Sequence, residues 1–232
     1  MMLDKRGNSS SRERIILMER LLSCLDADQQ SRIRYLLMDR EFGSTQWLNY
    51  LRTKPFHFII RIRKDAKVRM PGKTGEIIAH RLFQRKNYTV LRKPRIVFGH
   101  RLYMAGQKLS GKEYLILISD EPLYHGRKIY GERWGIEVFF GAFKKRGFNF
   151  EDTHLTKLER INTLVFILAI AFIWALKTGE FMIDNGHQIP IKVVKERRVR
   201  LYSIFRVGLD RLKLQLLNNL RLWEEIYFLS CT

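Results

Sequence analysis

The sequence predicts an α/β (α+β) chain: an α/β core, a β-rich stretch set into it, and helices at the C-terminal end. Three observations predict this. Pro55–Arg63 alternates in strand fashion, and Tyr114–Ser119 (YLILIS) is a short, continuous apolar run bounded by turn residues, as expected of a buried strand. Between them lie short strand-like pieces separated by Gly, Pro and basic turns. Beyond them the periodicity changes to that of helices, over Tyr130–Arg146, Leu155–Leu176 and Leu209–Phe228.

In order, Ser10–Leu25 reads as a helix with Ser9 or Ser10 as its cap and Ile15, Ile16, Leu21 and Leu22 on its buried side. Asp26–Gln30 reads as a turn whose two acids are solvated. Ile33–Met38 is a short apolar run that ends on Asp39, and open α/β sheets place their ligands at the carboxyl ends of strands. Read alone, Asp39 is equally a turn or capping acid. Gly43-Ser44 permits a sharp turn before a helix that starts at Thr45. The domain boundaries expected are residues 1–55 and 114–178 for the core, 56–113 for the β-rich insertion and 179–232 for a C-terminal helical region. Pro71-Gly-Lys-Thr74 is not a phosphate-binding loop, because Lys67 stands where that pattern requires glycine.

Charge narrows the partner. The 232 residues carry a formal net charge of +20 with 46% apolar residues, so a globular core coexists with a strongly basic surface. Residues 54–114 hold 16 Lys or Arg against 3 Asp or Glu, which concentrates +13 of that excess in the β-rich stretch. Such packing of charge predicts a DNA-backbone surface, with Arg92, Lys93 and Arg95 among its contacts. The longest uninterrupted apolar run, Leu164–Leu176, is short for a bilayer span, and membrane binding is the weaker reading. Two cysteines, Cys24 and Cys231, suit a reducing cytoplasm, and the six histidines show no paired metal-ligand spacing.

The most informative stretch is Tyr130–Arg146, YGERWGIEVFFGAFKKR. As one helix it would set Tyr130, Arg133, Glu137, Gly141 and Lys144 on one stripe, beside an apolar stripe of Ile136, Phe139, Phe140 and Phe143. A carboxylate between cations and a phenol suits a metal-bound phosphodiester. An amphipathic helix with a solvated polar face is the alternative from geometry alone.

The spacing Y-x2-R-x3-E-x6-K over Tyr130, Arg133, Glu137 and Lys144 resembles the Y-R-E-K signature of bacterial insertion-sequence transposases of the DDE class. Tyr35–Ser44 (YLLMDREFGS), Gly147–Thr156 and Ser203–Leu212 are similar to that family as well. The resemblance implies a ribonuclease H-like core that cuts and joins DNA of a mobile element with two Mg²⁺ or Mn²⁺ ions. It implies Asp39 and Glu137 as catalytic, metal-holding acids at roughly metal-sharing distance, on the order of 4–8 Å. Arg133, Lys144 and Lys145 are then expected on phosphates and Tyr130 on a displaced base. The implied partners are double-stranded transposon-end and target DNA and a second copy in a synaptic dimer, in the bacterial cytoplasm at the nucleoid.

Two departures qualify the resemblance. The family's first acid belongs on an early strand, and no strand is expected before Asp4, so the chain reads as truncated at its N-terminus and inactive alone. All four tryptophans, Trp47, Trp134, Trp174 and Trp223, lie outside residues 54–114, where relatives that form DNA hairpins carry an aromatic wedge. The rival readings are a non-catalytic DNA-binding remnant and a nuclease of the same fold.

Overall fold

A computed structural model describes residues 9–144, 147–194 and 197–217. They form two compact units that divide between Trp134 and Gly135.

The first unit opens with α1 (Ser11–Ser23), started by a reciprocal capping box in which Ser10 Oγ accepts from Glu13 N and Glu13 accepts from Ser10 N. Leu22 is buried, but Ile16 and Leu21 face outward. The acids expected in a turn instead start α2 (Ala27–Ser31), where Asp26 forms a second capping box with Gln29. Next come β1 (Tyr35–Met38), α3 (Thr45–Leu51, capped by Ser44) and β2 (His57–Arg61). β1 and β2 are parallel, so these three elements make a strand–helix–strand crossover.

Short strands follow: β3 (Lys67–Arg69), β4 (Glu76–Ile78), β5 (Thr89–Val90) and β6 (Arg95–Val97). Two longer ones complete the series, β7 (His100–Lys108) and β8 (Tyr114–Ser119). The sheet order is β1-β2-β8-β7-β6-β3-β4, with β5 also on β7. β2 is thus the parallel neighbour of β1, and β8 lies antiparallel against its other side. The expected boundaries at residues 55/56 and 113/114 therefore coincide with no break in the sheet.

Both faces of the sheet centre are covered, which accounts for the unbroken apolar runs of β2 and β8. Phe58, Ile60, Met104, Ile116 and Ile118 belong to one core with Trp47, Leu48 and Leu51 of α3. Ile59, Ala105 and Leu117 form the opposite one with Leu123 and Tyr130.

The helix expected over Tyr130–Arg146 is two helices. α4 (Gly126–Gly131) closes in a tight turn, with Glu132 N donating to Ile129 O and Arg133 N to Tyr130 O. α5 (Trp134–Phe143) starts afresh. Gly131 and Gly135 flank the break, and glycine weakens a helix by roughly 1 kcal/mol relative to alanine. The continuous helical periodicity from Tyr130 to Lys144 is therefore interrupted between Gly131 and Trp134.

In the second unit, α6 (Leu158–Asp184) runs three residues shorter at its start and eight longer at its end than the sequence suggests. A hairpin of β9 (Ile191–Val194) and β10 (Arg197–Arg200) follows, then α7 (Ile204–Leu217). The part of the last helix expected beyond residue 217 lies outside the described residues. α6 and α7 meet backbone to backbone: a Cβ on Gly208 would lie 1.8 Å from Ala175 O, and one on Gly179 2.2 Å from Ile204 O. Phe172 stacks on Phe205 at 5.0 Å, and Phe139 of α5 meets Phe172 edge-on at 5.0 Å. Of the expected stripe on α5, Phe143 is buried, whereas Ile136 and Phe140 are exposed. At 27 residues, α6 is long and apolar enough to cross a membrane by length and composition, which removes the length argument against a span.

Candidate active site

Asp39 is placed by strand chemistry. β1 carries its register with β2 up to Met38 opposite Ile60, so Asp39 emerges on the next rung, level with Arg61. Its backbone is still extended, and one carboxylate oxygen, Oδ1, accepts from Arg40 N at 2.8 Å, capping the single 3₁₀ turn Arg40–Phe42. The side chain is half-buried. Oδ2 makes no comparable bond to the backbone, which leaves a hard oxygen donor at the end of a rigid strand.

Three further side chains gather at this end. Arg61 of β2 donates from Nη2 to Tyr114 O at 3.2 Å, which orients its guanidinium. Tyr130 of α4 projects onto the sheet face formed by Ile59, Ala105 and Leu117. It is only 7% exposed, so its ring packs in the core. That position does not suit stacking on a displaced base. The Tyr130 hydroxyl is buried without a hydrogen bond of good geometry. Burial pushes the phenol above its ordinary pKa, the charge of Asp39 pushes it further, and Arg133 and Arg61 pull it back. Arg133 lies over the Tyr130 ring at 5.7 Å. Asp39, Arg61 and Arg133 thus all act on Tyr130 within the first unit, although the four residues come from three separate segments.

Glu137 and Lys144 belong to the second unit. Glu137 is exposed on α5, and Lys144 follows the last turn, where its Nζ pairs with Glu151 at 3.1 Å. Lys145 lies outside the described residues. Arg92 and Lys93 stand exposed in the turn before β6, as a backbone contact requires. Arg95 folds onto its own loop, donating from Nη1 to Lys93 O at 2.7 Å and Pro94 O at 3.2 Å.

A second polar cluster, which the sequence did not reveal, occupies the opposite end of the same strands. His57 Nδ1 lies 2.7 Å from Asp120 Oδ2, and the other Asp120 oxygen accepts from Phe58 N at 3.2 Å. The Tyr35 hydroxyl donates to Glu121, whose other oxygen lies 3.6 Å from His57 Nε2. The hydrogen bond to Asp120 raises the His57 pKa above 6.5, against the effect of burial. The hydrogen bond to Glu121 likewise raises the Tyr35 phenol.

The donor chemistry at Asp39 fits an oxygen-preferring divalent cation such as Mg²⁺ or Mn²⁺. Among the described residues no group of three His, Cys, Asp or Glu forms a ready metal cage, so two ions would need carboxylates beyond those gathered here. A search of curated proteins returned no match. A family profile described as Transposase DDE domain matches residues 4–174, well over half of the chain. That span takes in Asp39, the mixed sheet and the α4–α5 segment with Glu137, and a mixed α/β sheet followed by helices is what a ribonuclease H-like transposase domain requires. With that match across well over half of its length, the chain belongs to the DDE transposase domain family.

Proposed function

We propose that this transposase domain cuts the ends of its mobile element and joins the freed 3′ ends to target DNA, with Asp39 and Glu137 as two of the acids that hold divalent cations. Bound there, Mg²⁺ or Mn²⁺ would supply water activation and stabilisation of the leaving oxygen. The observation that carries this reading is Asp39 itself: a half-buried acid at a strand end, with one oxygen fixed by Arg40 N and cations beside it.

The remaining roles fall to groups of the chain. Arg133 and Arg61 neutralise the phosphodiester that approaches Asp39, and Lys144 and Lys145 hold phosphates on the Glu137 side. Tyr130 is a positioning residue: its packed ring carries Arg133 and its hydroxyl borders Asp39. Arg92 and Lys93 extend contact to the duplex outside the cut. The DNA bound is the double-stranded element end, in a synaptic dimer.

Two acids alone are too few to bridge a pair of mutually repelling cations, so the 232-residue chain assayed alone is expected to bind DNA and cut it weakly or not at all. The test measures Mn²⁺-dependent cleavage and strand transfer on element-end DNA by the parent chain, Asp39→Ala and Glu137→Ala. The proposal expects the parent's cleavage, however weak, to be lost in both variants. Cleavage that survives Glu137→Ala would contradict it. DNA binding without cleavage by the parent would favour a binding remnant.

A further inference from the structure

Two hollows adjoin the Asp39 end of the sheet, both within the first unit. The nearer one, of about 110 Å³, is lined by Arg40, Arg61, Arg63, Lys64 and Tyr114, together with the acids Asp65 and Glu113. The farther one, of about 290 Å³, is lined by Lys64, Lys108, Lys112, His80 and Tyr114. Lys64 and Tyr114 line both, so the two hollows are neighbours that share a wall. The nearer begins beside the acid: Arg40 follows Asp39 in sequence, and Arg61 is level with it on β2.

The cations in these hollows are ordered by the fold. Lys64 Nζ donates to Lys112 O at 3.0 Å, which ties the loop after β2 to the turn between β7 and β8. That turn needs Gly111 at φ +66°, a value that favours glycine and sets the direction in which Lys112 leaves the hairpin. His80 Nδ1 donates to Lys64 O at 3.1 Å, and its ring lies 5.5 Å from that of Tyr114. Arg63 is neutralised by Asp65 at 3.2 Å, so Arg40, Arg61, Lys64, Lys108 and Lys112 supply the positive charge against Glu113.

We propose that these two adjoining basic hollows are the track for the phosphodiester backbone of the DNA strand leaving the Asp39 site, with Lys64, Lys108 and Lys112 contacting phosphates. It deepens the transposase reading and rests on it. It also moves the main backbone contact of the β-rich stretch away from Arg92 and Lys93, which line neither hollow. A polyanion suits the site better than a small apolar ligand because the walls present ammonium and guanidinium groups, with one aromatic ring, Tyr114, shared by both hollows.

The experiment measures duplex DNA binding by the full chain across a salt series. It compares the parent, the pair Lys108→Gln with Lys112→Gln, and the pair Arg92→Gln with Lys93→Gln. Far-UV circular dichroism checks folding. Lys112→Arg serves as the conservative control, because the hairpin uses the Lys112 carbonyl and not its ammonium. Each lost phosphate contact lowers the slope of log K against log salt by about 0.9. The track predicts a fall of about two for the Lys108/Lys112 pair, a smaller one for the Arg92/Lys93 pair, and a parent-like slope for Lys112→Arg. An unchanged slope in the Lys108/Lys112 pair would overturn the track while leaving the transposase reading intact. Displacement of DNA by a nucleoside monophosphate at constant ionic strength would make the hollow a mononucleotide pocket and also overturn it. Failure of the parent to bind DNA at all would instead remove the reading on which it rests.

Discussion

The two ends of the β1–β2 pair carry similar side chains and treat them in opposite ways. At the amino-terminal end, Tyr35, His57, Asp120 and Glu121 satisfy one another: each acid has a donor and the histidine has two carboxylates. At the carboxyl-terminal end, Asp39 is bonded through one oxygen to its neighbour's amide, and the Tyr130 hydroxyl is buried without a good partner. A closed network stabilises the strands it joins; an open one keeps capacity for a ligand. The difference teaches that acids near a sheet end are not equivalent: one end has its hydrogen-bonding capacity used up, the other keeps some of it.

The comparison can be broken in four ways, from the largest effect to the smallest. The first concerns cation binding. Saturating Mn²⁺, at about 100 times its Kd, is expected to stabilise the parent by roughly 2.7 kcal/mol. Asp39→Ala should abolish that gain with little change in the apo melting temperature. Asp120→Ala should retain it. A Mn²⁺ response that follows Asp120 would exchange the roles of the two ends.

The second concerns the closed end in the absence of metal. Asp120→Ala strands Phe58 N and frees His57, and a cost of about 1 kcal/mol is expected in urea unfolding. An unchanged midpoint would show that the network is decoration.

The third uses Tyr130→Phe, which deletes a buried hydroxyl that lacks a hydrogen bond of good geometry. Stability is expected to stay level or rise by up to about 1 kcal/mol, because an unsatisfied buried group is removed. A loss of more than this would mean that the hydroxyl has a structural partner.

The fourth is a pH effect. The folded pKa of His57 is raised by its hydrogen bond to Asp120. Its stabilisation is therefore fully present below the ordinary value of 6.5 and is lost as pH rises through the folded value. The melting temperature of the parent should fall over that window, and Asp120→Ala should flatten the profile. Both side chains are partly exposed, so the effect is the smallest of the four.

Asp39 was legible in the sequence because a charged residue directly after an apolar run marks a strand end. The opposite cluster was not, because its bonds join residues 63 and 86 positions apart, and only the strand order brings them together. The sequence suggested Tyr130 for a displaced base and did not reveal its burial, since an aromatic side chain on a helix serves core and ligand equally well. Two glycines, Gly131 and Gly135, broke a helix that its 3.6-residue periodicity had carried straight through. The basic excess of residues 54–114 announced a polyanion partner but not its path. Arg92, Lys93 and Arg95 are adjacent in sequence, whereas Lys64, Lys108 and Lys112 converge only through the β7–β8 hairpin.

The central proposal is that Asp39 and Glu137 are both acids that hold the catalytic cation. Replacing Mg²⁺ with Fe²⁺ and adding ascorbate and peroxide makes a bound ion cut the backbone around it. The account predicts cleavage near residues 39 and 137 in the same preparation, with both cuts lost in either Asp39→Ala or Glu137→Ala. Cleavage near residues 57 and 120, or a cut at residue 137 that persists without Asp39, would contradict it.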